Sequence, residues 1–402
     1  MLRRLSGDVV VPGFRAAGVA CGIKKAGALD LALLASDVPA AAAGLFTRST
    51  VVGAPVEVSR AHVARGRARV VVANSGCSNV ALGARGLRDA RAMAEAAARA
   101  VGCPPEEALV ASTGVIGQPL PLAKVRRGVR DAAAALAPGG WPAAARAIMT
   151  TDTVPKLAAR RVRLGRRTAT LAGIAKGAGM IEPQMATMLA FLATDAAVAP
   201  AALRGLLRGA ADASFNRLSI DGETSTSDTV LLLANGLAEN APIARASARE
   251  ARAFAEALED LCVELVRALA RDGEGATKLV TVRVRGGRSA AEAERAAKRI
   301  ANSVLVKTAL FGGDPNWGRI LQTLGAGRID LDLARAEVRW AGVPVFRHGR
   351  AAGPAARRRA GAAMAASELE IAVDLARGRA EATVWTCDLS YDYVKINAEY
   401  TT

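Results

Sequence analysis

The sequence contains little of what histidine-dependent or metal-dependent sites require. Its 402 residues include two histidines, His62 and His348, both in Ala/Arg-rich, surface-like segments. This argues against a histidine-based catalytic triad and against a histidine-rich metal site. Aromatic residues make up 3% of the chain, whereas hydrophobic residues make up 51%. The core must therefore consist mainly of Ala, Val, Leu and Ile, a composition typical of packed α/β layers.

Cysteine pairs and long apolar runs are also missing. The cysteines are odd in number and form no Cys-x-x-Cys pair, which predicts reduced, structural thiols; they are Cys21, Cys77, Cys103, Cys262 and Cys387. No run approaches the ~20 consecutive apolar residues of a membrane span. The strand-like stretch at 9–11 ends at Pro12 and is too short for a signal peptide. We therefore expect a cytoplasmic protein.

The chain is strongly basic, with a net charge of +17. Arginines cluster in the segments 65–69, 160–167 and 357–359. Clustered arginines neutralise phosphates in nucleic-acid-binding proteins, so nucleic-acid binding is one hypothesis for this chain. The clusters lack the interleaved aromatic residues that stack on bases. This favours the alternative, basic faces exposed to solvent.

A chain of this length exceeds one ordinary core and predicts two or three packed units. Apolar periodicity and turn residues predict its elements. These are strands at 70–73, 108–111, 169–175, 188–195 and 279–285, helices at 88–101 and 249–271, and a Gly-, Ala- and Arg-rich loop at 348–363. We expect a domain boundary near residue 285, with one unit at 1–285 and the other at 286–402.

The sequence also lacks a phosphate-binding loop. Lys176-Gly177-Ala178-Gly179 has neither the Walker spacing nor its Lys-Ser/Thr ending. Nucleotide binding is therefore not predicted.

Thr187 offers a different chemistry. A hydroxyl nucleophile without histidine needs another base, and the α-amine of an N-terminal threonine, which titrates near ~7.7–8.0, is one. For the internal Thr187, the bond to Ala186 must break first, through attack of the Thr187 hydroxyl on the Ala186 carbonyl. The alternative is that Thr187 is a β-branched residue that simply favours a strand. The local sequence leaves both interpretations open.

Nine segments occur in an order that resembles one enzyme family. They are 74–76, 112–117, 150–153, 176–180, 185–189, 221–226, 272–278, 314–319 and 395–402. Together they resemble the glutamate N-acetyltransferase/ornithine acetyltransferase family of arginine biosynthesis, over nearly the whole chain. Each segment alone is weakly specific, but the ordered set is highly specific.

The resemblance implies acetyl transfer from N2-acetylornithine to glutamate, by a ping-pong mechanism through an acetyl group on the Thr187 hydroxyl. It implies that the chain cuts itself between Ala186 and Thr187, and that Thr113 and Gly114 form the oxyanion hole. A hydroxyl and a backbone amide can both donate to a developing oxyanion, and losing one such donor costs ~10²–10³ in rate. The alternative for Thr113 and Gly114 is an ordinary turn after a strand.

The resemblance also implies a set of substrate contacts: Thr153, Lys176, Thr187, Glu274, Asn397 and Thr402. Both substrates carry an α-carboxylate, which suits Lys176 and hydroxyl donors, and the ornithine ammonium suits a carboxylate such as Glu274. Solvated charges are the alternative for Lys176 and Glu274. A role for Asn397 and Thr402 requires the C-terminus to fold back over the site.

For the fold, the resemblance implies an α/β (α+β) protein. The expected architecture is a layered α-β-β-α sandwich of the ornithine acetyltransferase/aminopeptidase type, with a smaller C-terminal α/β domain that closes the active site. Mature chains of residues 1–186 and 187–402 are expected to remain associated, as a heterotetramer with two copies of each.

We expect no metal, no cofactor, and neither nucleic acid nor membrane as a partner. The residues leave open whether acetyl-CoA is a second acetyl donor. An amidohydrolase or aminopeptidase that uses water as the acceptor is the alternative enzyme.

Overall fold

The computed structural model describes residues 3–4, 9–25, 27–182, 188–245 and 249–399. Ala186, Thr187 and Thr402, and with them the expected cleavage site, lie outside the described residues. The described chain contains a nine-stranded sheet, followed along the sequence by a six-stranded sheet.

The nine-stranded sheet consists of β1 Arg3–Arg4, β2 Phe14–Val19, β3 Leu31–Phe46, β4 Arg67–Cys77, β5 Ala108–Val115, β6 Lys156–Leu164, β7 Arg167–Lys176, β8 Leu189–Thr194 and β9 Thr229–Ala234. Its order is β1-β6-β7-β8-β9-β3-β4-β5, with β2 also paired to β3. The accompanying helices are α1 Ala54–Val63, α2 Gly83–Val101, α3 Leu122–Ala134, α4 Trp141–Ala147, α5 Pro200–Ala213 and α6 Arg249–Arg271, with short 3-10 helices at Pro105–Glu107 and Phe215–Arg217.

The long strand β3 divides this sheet into two halves. Its first part pairs with β2 and β4, and its last part pairs with β9. The register against β4 shifts between Ala35 and Ala40. Pro39 lies in this irregular stretch and, like any proline, cannot donate a ladder hydrogen bond. One half therefore contains β2, β4 and β5, and the other contains β6 to β9.

Successive side chains on a strand point to opposite faces of the sheet, so each half-sheet packs against helices on one face and against the other half-sheet on the other face. On β4, Val72 packs with α2 and α3, whereas Val71 packs into the interior between the halves. On β8, Leu192 packs with α5 and α6, whereas Phe191 packs into the same interior. The layers are therefore helices, half-sheet, half-sheet and helices, which confirms the expected α-β-β-α sandwich.

Strand directions bring several strand ends to one edge. β7 ends at Lys176, and the antiparallel β8 begins beside it at Leu189. β9 runs parallel to β8 and begins at Thr229 on the same edge. In the other half, the parallel strands β4 and β5 end at Cys77 and Val115. Residues at these ends surround a single cavity.

The six-stranded sheet has its own helices and core. Its strands are β10 Leu279–Gly287, β11 Glu337–Trp340, β12 Val343–Arg347, β13 Arg350–Ala351, β14 Glu368–Asp374 and β15 Ala380–Cys387. Its helices are α7 Ala290–Ala301, α8 Val304–Gly312, α9 Trp317–Ala326, α10 Pro354–Ala363 and α11 Tyr391–Glu399. The strand order is β13-β12-β11-β14-β10-β15. Trp385 on β15 packs into the cluster of α5 and α6, and its carbonyl accepts from the Ser219 amide at 2.9 Å.

The predicted elements agree with the structure except in two places. The predicted helix at 249–271 is α6. The predicted strands fall within β4, β5, β7 and β10, and the strand predicted at 188–195 contains β8 with one residue more at each end. The loop predicted at 348–363 is wrong, because its second part is α10. Pro354 in the first turn and the following alanines favour helix there. Residues 9–11 form no strand, although Val9 and Val11 are buried between the half-sheets.

The expected domain boundary at residue 285 lies inside β10, so the second sheet begins before it. All five cysteines are free, and four of them are buried. Across the described ranges, no helix is long and apolar enough to span a membrane.

Candidate functional site

A cavity of about 130 Å³ lies at the edge where these strands end. It is lined by Ser78, Thr113, Gly114, Ile116, Thr150, Thr151, Lys176, Gly177, Gly179, Met180, Met188, Leu189, Ser225, Thr226, Ser227, Asp228, Glu274 and Asn397. Both half-sheets and the C-terminal helix α11 contribute to it. Its volume is below the ~300–1,000 Å³ of typical drug-sized pockets, so it suits a small ligand. The cavity lining carries hydroxyl, ammonium and carboxylate groups, which favours a polar ligand.

Lys176, the last residue of β7, is buried in the cavity wall. Its Nζ donates to Thr150 Oγ1 at 2.8 Å and to Thr113 Oγ1 at 3.3 Å. Burial lowers the pKa of Lys176, against the opposing attraction of Asp152 and Asp228. Its direct partners among the described residues are neutral hydroxyls, so a protonated Lys176 is placed to pair with a ligand carboxylate.

Asp152 holds the backbone around Lys176. Its Oδ1 accepts from the Gly177 amide at 2.7 Å, and its Oδ2 accepts from the Thr150 amide at 3.0 Å. Lys156 Nζ also donates to Asp152, at 2.5 Å. Burial by itself would raise the pKa of Asp152, but the Lys176 and Lys156 ammonium groups outweigh it and lower the pKa to about 2. Asp152 is therefore a fixed anion behind the cavity wall.

Thr113 and Gly114 lie near the end of β5, inside the strand rather than in a turn after it. Gly114 has a φ of +126°, and a Cβ there would lie 2.4 Å from the Gly76 carbonyl carbon. Only glycine fits this conformation and this close approach. The Thr113 hydroxyl accepts from Lys176, and no described group accepts its proton, so that proton can be donated to a ligand.

Glu274 and Asn397 enter the cavity from the C-terminal half of the chain. Asn397 on α11 donates from Nδ2 to Glu274 Oε2 at 2.8 Å. The Glu274 amide donates to the Ala178 carbonyl at 2.8 Å, which ties this residue to the loop after β7. A Cβ on Gly179 would lie 2.4 Å from Glu274 Oε2, so the carboxylate packs directly against that glycine. The C-terminal helix thus folds back over the site.

The described residues on both sides of the expected cleavage site are held by hydrogen bonds. On one side, the Ile181 amide donates to Asp221 Oδ1 at 2.8 Å, and Glu182 Oε1 accepts from Asn302 Nδ2 at 2.8 Å. On the other side, the Met188 carbonyl accepts from the Thr229 amide at 2.9 Å.

Several cavity residues were not predicted. Thr150, Thr151, Ser225, Ser227 and Asp228 line the cavity, although most of them belong to or adjoin segments of the family resemblance. A hydroxyl-rich run that leads into the buried strand β9 was the available signal. That this run lines a cavity follows only from the pairing of β9 with β8, which the local sequence does not show.

The structure brings five of the predicted site residues together at the cavity: Thr113, Gly114, Lys176, Glu274 and Asn397. Thr153 is exposed instead, and its amide donates to Asp272 Oδ2 at 3.0 Å. The Thr153 hydroxyl donates to the same carboxylate. Thr187 and Thr402 lie outside the described residues.

The arginine clusters are partly engaged in ion pairs within the chain. Arg160 is buried, contrary to the expected solvated face, and its guanidinium contacts Asp260 at 2.5 Å and Glu264 at 2.7 Å. Arg67 pairs with Glu107 at 2.5 Å. These two arginines therefore have carboxylate partners within the chain. In the part of the chain that the structure describes, no group of three or more His, Cys, Asp or Glu side chains is arranged to hold a metal.

The layered fold and the polar cavity at its sheet edge define an α-β-β-α protein with a candidate site for a small, polar ligand. The family model described as ArgJ family matches residues 15–402. The chain therefore belongs to the ArgJ family, which confirms the resemblance found in its motifs.

Similar proteins carry the same family name. The chain is 52% identical to the arginine biosynthesis bifunctional protein ArgJ of Symbiobacterium thermophilum, over 99% of each chain. It is 48% identical to the protein of that name in Geobacter sulfurreducens, over 98% of this chain and 100% of the other.

Two solved structures are also similar. The crystal structure of the ArgJ protein of Bacillus halodurans has 38% identity and a TM-score of 0.49, and covers 51% of this chain and 96% of its own. The ornithine acetyltransferase of Mycobacterium tuberculosis complexed with ornithine has 44% identity and a TM-score of 0.44, and covers 46% of this chain and 100% of its own.

Proposed function

We propose that the chain is an N-acyltransferase of arginine biosynthesis that moves the acetyl group of N2-acetyl-L-ornithine to L-glutamate. The products are L-ornithine and N-acetyl-L-glutamate. The observation that carries the proposal is the cavity itself, in which Thr113, Gly114, Lys176 and Glu274 meet beside Met188 in a member of the ArgJ family.

Thr187 is the proposed nucleophile. Its hydroxyl first attacks the Ala186 carbonyl and cuts the chain, and the released α-amine then serves as the base for the hydroxyl. Thr187 is covalently bonded to Met188, and Met188 lines the cavity, which supports this assignment. In the transfer, the hydroxyl takes the acetyl group from acetylornithine, ornithine leaves, and glutamate then accepts the acetyl group.

Thr113 and Gly114 are the proposed donors to the oxyanion that forms in each acyl transfer. Among the described residues the Thr113 hydroxyl proton has no acceptor, and Gly114 lines the cavity where only glycine fits beside the Gly76 backbone. Preorganised donors of this kind stabilise a developing negative charge without reorganisation during the reaction.

Lys176 is the proposed partner of the substrate α-carboxylate, and Glu274, held by Asn397, the partner of the ornithine ammonium. Charge-assisted hydrogen bonds of this type both bind and orient a small substrate. Contacts from Thr153 and Thr402 remain predictions from the family resemblance.

The proposed mature protein consists of fragments 1–186 and 187–402. β7 belongs to the first fragment and β8 to the second, yet they pair from Leu171–Thr194 to Lys176–Leu189. Both fragments also contribute to the core cluster with α5 and α6. Such extensive shared structure supports fragments that stay together. We further propose two copies of each fragment in the assembly, a cytoplasmic location, and a transfer that uses protein groups alone.

Intact mass and acetyl transfer of purified protein test the proposal. Wild-type protein should yield two fragments that meet between residues 186 and 187, whereas Thr187→Ala should remain one chain and lose the transfer. Thr187→Ser keeps a hydroxyl and serves as the matched control, which should still cut. A wild-type chain that remains intact yet is fully active would contradict the mechanism.

Glutamate dependence tests the reaction class. Ornithine release from acetylornithine should require glutamate, with N-acetylglutamate formed in equal amount. Equal consumption of acetylornithine with and without glutamate would instead identify an amidohydrolase. A parallel assay of glutamate acetylation by acetyl-CoA determines whether this chain has the second activity.

A further inference from the structure

Thr150 is a cavity residue to which the proposed transfer gives no role. It lies in the segment between α4 and β6, it is partly buried, and it lines the cavity. Its Oγ1 accepts from Lys176 Nζ at 2.8 Å. A hydroxyl group has one proton to donate, and no described group accepts the proton of Thr150. The Thr150 hydroxyl is therefore available as a donor to a ligand.

Lys176 lies between two such hydroxyls. Its Nζ donates to Thr150 Oγ1 at 2.8 Å and to Thr113 Oγ1 at 3.3 Å. An ammonium group has a third N–H, and across the described ranges that of Lys176 has no acceptor. Thr113 is followed by Gly114 on β5, with which it forms the proposed oxyanion hole. Thr150 comes from a different segment and is the closer of the two hydroxyls to the ammonium group.

The backbone around Thr150 is held from two sides. The Thr150 amide donates to Asp152 Oδ2 at 3.0 Å, and the Gly177 amide donates to the other oxygen of the same carboxylate at 2.7 Å. Asp152 thereby fixes Thr150 relative to the end of β7. On the other side, the Met149 carbonyl accepts from Lys24 Nζ at 3.0 Å. A donor that is already held in place loses little entropy when a ligand binds to it.

We propose that Thr150 binds the α-carboxylate of the substrate, with its hydroxyl donating to one carboxylate oxygen while Lys176 pairs with the other. This inference rests on the proposed function. The remaining N–H of Lys176 and the O–H of Thr150 supply two neighbouring donors, which match the two oxygens of one carboxylate. Acetylornithine and glutamate both carry this group, so one pair of donors serves both half-reactions. Hydrogen bonds to an ionised acceptor are roughly twice as strong as neutral ones.

Thr153, in the same segment, is the residue to which the family resemblance assigns a substrate contact. It is exposed, and both its amide and its hydroxyl donate to Asp272. The proton of the Thr153 hydroxyl is thus already used within the chain. Of these two threonines, only Thr150 lines the cavity and contacts Lys176.

Thr386 provides a matched control away from the cavity. It is buried on β15, and its Oγ1 accepts from Nζ of the buried Lys307 at 3.1 Å. It does not line the cavity. Replacing Thr150 or Thr386 by valine therefore removes a hydroxyl that accepts from a buried lysine, but only the first change alters the cavity.

Calorimetric titration of purified protein with ornithine and with putrescine isolates the carboxylate. Putrescine is ornithine without its carboxylate, so the ratio of the putrescine to the ornithine dissociation constant measures the contribution of that group. Thr150→Val should weaken ornithine binding about 10-fold or more and leave putrescine binding within about twofold, so the ratio falls. Thr386→Val should keep the wild-type ratio. A wild-type ratio in Thr150→Val would overturn the proposal.

Two further variants separate the hydroxyl from folding. Thr150→Ser keeps the donor and removes only a methyl group, so it should keep the ratio close to that of wild type. Thr150→Ala removes the hydroxyl from a smaller side chain and should lower the ratio as Thr150→Val does. A ratio as low in Thr150→Ser as in Thr150→Ala would show that the hydroxyl is not the cause and would overturn the proposal.

Steady-state kinetics provides a second readout. In Thr150→Val, kcat/KM should fall for both acetylornithine and glutamate while kcat stays near the wild-type value, because a carboxylate contact is made in the ground state and the transition state alike. A fall in kcat equal to the fall in kcat/KM would instead indicate a contact made only in the transition state, and would overturn the proposal.

Wild-type protein distinguishes this inference from the proposed function. If it binds neither ornithine nor putrescine, both are contradicted. If it binds ornithine but transfers no acetyl group, only the transfer is contradicted, and the ratio in Thr150→Val still decides the role of Thr150. Equal binding of ornithine and putrescine by wild-type protein would contradict a carboxylate contact and with it this inference.

Discussion

Two buried lysines, Lys156 and Lys176, lie side by side at the open end of the β6–β7 hairpin and differ in their partners. Lys156 begins β6, and its Nζ contacts Asp152 and Asp272, each at 2.5 Å. Lys176 ends β7, and its Nζ donates to the hydroxyls of Thr150 and Thr113. Lys156 thus has two anionic partners in direct contact, whereas the direct partners of Lys176 are neutral.

In the proposed reaction, this difference separates a structural charge, Lys156, from a substrate-binding charge, Lys176. Burying an ammonium group without an ionic partner is costly. Of the two lysines, only Lys176 lacks a carboxylate in direct contact among the described residues, and it lines the cavity. The anion that Lys176 lacks is the one that a substrate carboxylate supplies in the proposed reaction. Lys156 and Asp152 hold the wall behind it.

The largest effect is expected from removing Lys156. Lys156→Met leaves Asp152 and Asp272 without their shared cation, and breaking a buried pair in this way costs about 3–5 kcal/mol. Urea unfolding should show the loss. Lys298→Met removes a partly exposed pair with Glu294 and serves as the control, with an expected loss of at most about 1 kcal/mol. Equal losses in the two variants would remove the distinction between these lysines.

Lys176→Met should affect the reaction instead. Hydrogen bonds to charged groups contribute about 1.5–3 kcal/mol, so kcat/KM for acetylornithine should fall about 10- to 100-fold. Stability should fall less than in Lys156→Met, because Asp152 loses the attraction of Lys176 but keeps its direct pair with Lys156. A kcat/KM within twofold of wild type would show that Lys176 does not bind the substrate carboxylate.

The smallest effect is expected from pH. Lys176 must be protonated to bind a carboxylate, and burial lowers its pKa from the ordinary 10.5. Binding is therefore complete at pH values below the shifted pKa and weakens as the pH rises through it, at a pH below 10.5. KM for acetylornithine should rise in that range. In Lys176→Met, KM should be high throughout and independent of pH over the same range.

Much of the framework was predictable from local pattern. The apolar runs of β4, β5, β8 and β10 predicted strands, and the periodic apolar face of α6 predicted its helix from end to end. These signals are local, because a helix or strand with one buried face has apolar residues at regular spacing along the chain. The prediction of a loop at 348–363 was wrong because it gave more weight to glycine and arginine content than to the helix-forming alanines of α10.

The site was only partly predictable. The family motifs identified Thr113, Gly114, Lys176, Glu274 and Asn397, and the structure places all of them at the cavity. They also pointed to Thr153, whose hydroxyl contacts Asp272 instead.

By itself, the sequence determined most of the predicted strands and helices and the family, and it supplied the candidate residues for the proposed acyl transfer, because composition and motif order are properties of the chain. Only the tertiary structure decided which buried charges have partners. Lys156 and Lys176 look alike in sequence. Their partners differ because the fold places Lys156 against two carboxylates and Lys176 in the cavity wall against hydroxyls, and that placement depends on segments far apart in the chain.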